Sequence, residues 1–172
     1  EILPFAKIEK LQKFLTMEKK LKLKFMEMNR LAALNTDHVL SWVKKFPITK
    51  KQRKWVDQLL VNLTDPLPLR VKGYKYGMDL ASAALILSKS DSLSVLDDQE
   101  LAEVSYGSLR EFPLKTVDLL SFFSPSKELG DEFKRLKNIW FNSNLEFGRN
   151  ELFIELRDNY RSKDHIVKKE SS

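Results

Sequence analysis

The side chains of this chain that could do chemistry are chiefly cations. Lys44, Lys45, Lys50, Lys51, Arg53 and Lys54 crowd one short stretch, interrupted only by Phe46-Pro47-Ile48-Thr49 and Gln52. Ammonium and guanidinium groups at this density suit ionic contact with phosphate rather than bond making. Thr49 has the side chain of a helix N-cap, and the open amides of a helix start add partial positive charge beside the lysines. Lys115 and Lys127 mark comparable expected helix starts later in the chain. The competing reading is that lysine is a soluble helix-surface residue and that these are solvated helix faces.

Groups for covalent or metal chemistry are sparse. His38 and His165 are the only histidines, and neither has a Glu-x-x-His or Cys partner, so zinc ligation is not expected. His38, in a first helical turn, reads as a surface residue. The absence of cysteine excludes disulfides and thiolate sites. No Asp-x-Asp pair, Gly-x-Gly-x-x-Gly turn or Gly-x-x-x-x-Gly-Lys loop occurs. Asp97 and Asp98 are adjacent and diverge on a helix, which makes capping the expected role. Gly107-Ser108 stands alone between helical segments, and no serine sits on a nucleophile turn. Trp42, Trp55 and Trp140 lie on apolar faces. Such rings can stack on bases, but core packing is the expected role of each.

Composition bounds the elements that must carry these groups. The 172 residues suit one domain, or a body with a smaller tail, and 42% apolar residues suffice for a core. Five glycines and abundant Leu, Lys and Glu favour helix. The net charge of +6 is uneven: Glu1 to Asp57 holds 14 Lys+Arg against 6 Asp+Glu, and the remainder 16 against 18. A basic first third is the footprint of a phosphate-binding surface. No apolar run approaches the roughly 20 residues of a spanning helix, and the longest candidate, Leu80 to Leu87, contains Ser82. The first residue is Glu1 with no charged-then-apolar leader, so the chain is expected to be a fragment or a processed form.

Periodicity then places the helices. Pro4 suits a first turn, followed by Ile8, Leu11, Phe14 and Leu15 at helical spacing, and a second helix carries Leu23, Met26, Leu31 and Leu34. These two helices have Lys-rich faces that would suit a membrane interface, but packing on neighbours is the expected use. Asn35-Thr36-Asp37 reads as a stop and N-cap. A short helix with Val39, Leu40, Trp42 and Val43 ends at Phe46-Pro47. The Thr49-capped helix buries Trp55, Val56, Leu59, Leu60 and Leu63. One helix is expected from Leu69 to Leu87, with Gly73 and Gly77 available for close packing. Ser88 to Ser94 reads as a polar linker, after which Asp97 or Asp98 caps a helix bearing Leu101, Val104 and Tyr106.

The end of the chain has a more specific order. Phe112-Pro113-Leu114-Lys115-Thr116-Val117-Asp118-Leu119-Leu120 is followed by a turn from Ser124 to Gly130. A long helix carries Phe133, Leu136, Trp140 and Phe141, a second turn spans Phe147-Gly148-Arg149-Asn150, and a closing helix carries Leu152, Phe153 and Leu156. This order resembles the tail of the class II tRNA nucleotidyltransferase and poly(A) polymerase family of bacterial type. Arg30-Leu31-Ala32-Ala33-Leu34 and Phe46-Pro47-Ile48-Thr49-Lys50-Lys51-Gln52-Arg53-Lys54 resemble its neck and body, and Tyr74 with Gly77 and Ala81 its body helix. Two family glycines are Thr116 and Ser126 here, and each is expected to cap a helix instead.

The resemblance implies an all-α, elongated helical body with a small helical tail: a neck and body over 1–111, a tail over 112–161, and a frayed terminus over 162–172. It implies an RNA-binding region that positions tRNA for CCA or poly(A) addition by an N-terminal catalytic head absent from this chain. That head would hold Mg2+ on paired carboxylates; the chain itself is expected to transfer no nucleotide and to need no cofactor. The implied setting is cytoplasmic, with RNA as partner and no membrane. The residues expected to grip RNA are Lys44, Lys45, Lys50, Lys51, Arg53, Lys54, Lys115 and Lys127. The alternative is a helical protein–protein adaptor with no RNA role.

Overall fold

The computed structural model describes residues 6–21, 26–92 and 95–170, with the side chains of 91 and 162–170 left aside. The fold is all-α, with no strand among the described residues. The helices are α1 (Ile8–Lys20), α2 (Glu27–Leu34), α3 (Val39–Lys45), α4 (Lys50–Thr64), α5 (Leu69–Tyr76), α6 (Met78–Asp91), α7 (Asp98–Ser108), α8 (Thr116–Leu119), α9 (Lys127–Asn142) and α10 (Arg149–Glu170). They form two compact units, Glu1–Leu109 and Arg110–Ser172.

In the first unit α6 is the centre. Leu80 through Leu87 are buried without a break, the pattern of a helix covered on every side. Ser82 and Ser90 are tolerated there because each hydroxyl has a local acceptor. Ser82 Oγ reaches Met78 Sδ at 3.6 Å, and Ser90 Oγ donates to the carbonyls of Ile86 and Leu87 at 2.9 Å. Around α6 pack Phe14 of α1, Ala32 and Ala33 of α2, Val43 of α3, Val56 and Leu59 of α4, and Val104 of α7. Pro4 and Leu23 lie outside the described residues.

Several local expectations change. Phe14 is buried in place of Ile8, which is 57% exposed, so the apolar face of α1 is rotated toward Phe14. The turn before α3 ends at His38, not Asp37: Asn35 Oδ1 accepts from the Asp37 N–H at 3.1 Å, and His38 occupies the N-cap. The helix expected over Leu69–Leu87 breaks at Gly77, whose φ of +79° lies where only glycine is unstrained. The stretch read as a linker from Ser88 is helical through Asp91. Thr49 caps α4 with a reciprocal box, its Oγ1 accepting from the Gln52 N–H at 3.2 Å and its own N–H donating to Gln52 Oε1 at 2.9 Å. Asp97 caps α7 in the same way with Glu100.

The closest packing in this unit joins α5 to α7. A Cβ on Gly107 would fall on the Arg70 carbonyl, and one on Gly73 on the Val104 carbonyl. Backbone thus meets backbone, and only the absence of both side chains permits it. Arg70 reinforces the crossing. Its guanidinium pairs with Glu103, Nη2 donating to Oε1 at 3.0 Å, and lies 4.5 Å from the Tyr106 ring centre.

The second unit is built on α9 and α10. Leu136, Trp140, Leu152 and Leu156 are buried, Trp140 to 1% exposure. Phe112 stands edge-on to both Phe133, at 5.2 Å, and Trp140, at 5.4 Å. Trp140 is therefore a core residue, with Phe112 and Phe141 among its aromatic neighbours; Phe153 carries the Arg149 guanidinium 5.1 Å from its ring. The chain reverses at Asn144 and Leu145, both with positive φ, ahead of the turn expected at Phe147–Asn150. Buried Glu132 is bridged by Arg135 and by Asn159 Nδ2 at 2.6 Å, and Arg135 Nη2 reaches the Glu155 carbonyl at 3.0 Å. Thr116 does not cap α8. Lys115 holds the cap position and its N–H donates to Asp118 Oδ2 at 2.7 Å. Ser126 sits at the N-cap of α9 without a side-chain capping bond.

The glycines give a contrast that thermal melts can read. Gly107→Ala or Gly73→Ala should destabilise the first unit by about 3 kcal/mol or more, because backbone atoms must move apart. Gly130→Ala in α9, where a Cβ meets nothing within 4 Å, should instead stabilise by about 0.5–1 kcal/mol through helix propensity. Equal effects at Gly107 and Gly130 would contradict the close crossing.

Candidate nucleic-acid interface

The structure places six of the eight expected cations together on the first unit. Lys44 and Lys45 form the last turn of α3, and Lys50, Lys51, Arg53 and Lys54 the first turns of α4, with Phe46-Pro47-Ile48-Thr49 between. All six side chains are exposed, and none forms an ion pair among the described residues. Helix geometry explains the exposure. At about 100° per residue, the four α4 cations spread over the face opposite Val56 and Leu59, which are fully buried. The Thr49 cap fixes where that turn begins. Gln52 N–H is already consumed by Thr49, so the amides left open at the α4 start are those of Lys50 and Lys51. Lys44 and Lys45 complement the negative end of α3, a structural role they fill whether or not a ligand binds.

Lys115 and Lys127 belong to the second unit, and both are exposed. Their settings differ. Lys127 opens the 16-residue α9. Lys115 precedes a four-residue turn whose start already holds a carboxylate: Asp118 accepts from the Lys115 N–H and from Arg149 Nη2 at 2.8 Å. The Lys115 amide bond and the Arg149 pair hold the Asp118 carboxyl below its ordinary range.

Other chemistry is poorly supplied. Among the described residues no three His, Asp or Glu side chains gather as a metal site, and the adjacent Asp97 and Asp98 serve a helix start. His38 is the N-cap residue of α3, and the side chain of His165 lies outside the described set. Trp42 is buried, and half-buried Trp55 donates from Nε1 to Asn29 Oδ1 at 2.8 Å. No described helix is long and apolar enough to cross a membrane.

Perturbed titration in the first unit gathers away from the basic stretch, at the junction of α4 and α5. Asp65 Oδ2 accepts from Lys75 Nζ at 2.8 Å and from the Tyr76 hydroxyl at 2.6 Å, and Lys72 Nζ donates to the Asn62 carbonyl at 2.8 Å. Burial pushes the Asp65 carboxyl up, but the bonds from Lys75, Tyr76 and the Leu67 N–H together bring it below 3.8. Burial lowers Lys72, the Asp65 bond raises Lys75, and burial raises Tyr76. Perturbed groups often mark active sites. Here they satisfy one another and close a helix junction, so their role is structural. Sequence reading missed this clasp; the signal was Asp65 placed ten residues before Lys75 across a Pro-rich turn.

The clasp gives a pH signature. A carboxylate with a lowered folded pKa adds stability that is fully present above the unfolded value, here 3.8, and fades as pH falls through the folded one. Asp65→Asn should therefore lower the melting temperature at neutral pH, with the gap to wild type closing below 3.8. A gap unchanged down to the acid limit would show that the charge contributes nothing.

Comparison of the chain with protein-family models, with curated proteins and with solved structures finds no match.

Proposed function

We propose that the chain is an RNA-handling helical region that grips the phosphate backbone of a folded RNA such as tRNA. In this reading it serves as the neck, body and tail of a CCA-adding or poly(A)-adding nucleotidyltransferase in the cytoplasm. The observation that supports it most is the set of six exposed cations, without ion-pair partners among the described residues, around the α3–α4 loop. Phosphate contacts of this kind position a nucleic acid without reading its sequence. The order of motifs from Phe112 to Leu156 is the second support, and it is what ties the gripping surface to nucleotide addition. Lys127 at the start of α9 would add a contact from the second unit, and Lys115 a weaker one because Asp118 shares its helix start. Mg2+ and transfer chemistry belong, in this reading, to the head of the parent enzyme.

Filter binding of the chain to tRNA across a salt series tests the grip. Affinity should fall steeply with salt as counterions are released. Replacing Lys50, Lys51 and Lys54 together by Glu should weaken binding by at least about ten-fold and flatten the salt slope by about three. Stability should change by no more than about 0.5 kcal/mol per exposed site. A triple variant that binds like the parent would remove the basic surface from consideration and favour the adaptor reading. A second assay addresses the chemistry. Incubated with tRNA ending before its CCA, nucleotides and Mg2+, the chain should extend nothing, and extension above background would require a site elsewhere.

A further inference from the structure

Next to the basic stretch the first unit carries an open groove with an apolar floor. Leu11 and Leu15 of α1, Leu31 and Leu34 of α2, and Phe46 and Ile48 of the α3–α4 loop line it, over a volume of about 460 Å³. Leu15, Leu34 and Phe46 are half-buried and present apolar surface to the groove they line. The one lining carboxylate, Glu27, is engaged by Gln52 Nε2 at 3.4 Å, and the one lining cation, Arg30, pairs with Glu18 at 2.7 Å. The chain on either side of the loop residues that line it is positive and exposed. Lys44 and Lys45 directly precede Phe46, while Lys50 and Lys51 follow Ile48 after Thr49.

We propose that this groove docks an amphipathic helix of another protein, with leucine-type side chains on the buried face and Asp or Glu along its edges. Two roughly side-by-side helices closed by a loop make a trough, and helices seat in troughs through anchors at i, i+3, i+4 and i+7. Acidic edges would meet the lysines flanking the loop, adding on-rate and orientation. A second copy of the chain fits less well, since residues 1–57 carry 14 Lys+Arg against 6 Asp+Glu and two such surfaces repel. A bilayer calls for protruding apolar side chains, whereas these line a depression. Single-stranded RNA calls for several aromatic platforms, and among the described lining residues there is one, Phe46. The inference shares lysines with the RNA reading, but its deciding readout, dependence of binding on the leucines of the peptide and the groove, is separate from tRNA binding.

The test is fluorescence polarisation of the full chain against a labelled synthetic helix with leucines at i, i+3, i+4 and i+7 and glutamates elsewhere. Saturable binding is expected. It should weaken by about ten-fold or more when the peptide leucines become serines, and likewise in the Leu15→Gln, Leu34→Gln double variant, whose fold is checked by circular dichroism. Lys44→Gln with Lys45→Gln should weaken it and reduce its salt dependence. The peptide-side change keeps the test valid even if the groove variant does not fold. Equal binding of the serine peptide would reduce the effect to charge and overturn the proposal, as would absence of binding. Self-association in the ultracentrifuge, capture by phosphatidylserine vesicles or binding of poly(U), if abolished by the groove variant, would assign the groove to one of those occupants and equally overturn it.

Discussion

The unbroken burial of Leu80–Leu87 in α6 is the constraint on which the first unit depends. A helix buried around its whole circumference cannot be stable alone in water, and each face needs a neighbour. Three alanines, Ala81, Ala83 and Ala84, keep those neighbours near. Once α1, α2, α4, α5 and α7 are committed to covering it, their outer faces are largely polar, with Ile8 of α1 and Val61 of α4 among the exposed exceptions. The lysines of α4 are outside because Val56 and Leu59 are inside. The basic surface and the core are therefore two sides of one arrangement, and only the choice of lysine over other polar residues is left to function.

The remaining joints show how little freedom that arrangement leaves. Gly73 and Gly107 let α5 and α7 touch backbone to backbone, which no larger residue allows. Charged groups caught by the packing each make at least one hydrogen bond. Lys10, 5% exposed, donates to Thr36 Oγ1 at 2.6 Å, and Glu18 is held by both Arg30 Nε and Nη2. An unmatched buried charge would cost several kcal/mol, so these pairs fix which face of each helix turns inward. The second unit repeats the logic on a smaller scale, with Glu132 tying α9 to α10 through Arg135 and Asn159.

The basic stretch and the apolar groove share the α3–α4 loop. Pro47 stops α3, Thr49 restarts the chain as α4, and the interval exposes cations on both sides while Phe46 and Ile48 turn to the groove. One short loop thus offers ionic and apolar contact within a few residues.

The sequence by itself determined the all-α class, the stop at Phe46-Pro47, the cap at Thr49, a cap at Asp97 or Asp98, and the burial of Trp42 and Trp140. Each of these follows from local chemistry: helical spacing, side-chain capping, or the steric rule before proline. It also made the cluster of cations visible, because their crowding is a property of neighbours along the chain. Only the tertiary structure decided that α5 and α6 are separate helices, that Phe14 rather than Ile8 turns inward, that Asp65 clasps Lys75 and Tyr76, and that a groove lies between α1 and α2. These depend on which helix meets which, and periodicity marks an apolar face without naming its partner. Gly77 shows the difference most plainly. In sequence it was a small residue fit for packing; in the fold it is the point where the backbone turns left-handed so that α6 can enter the core.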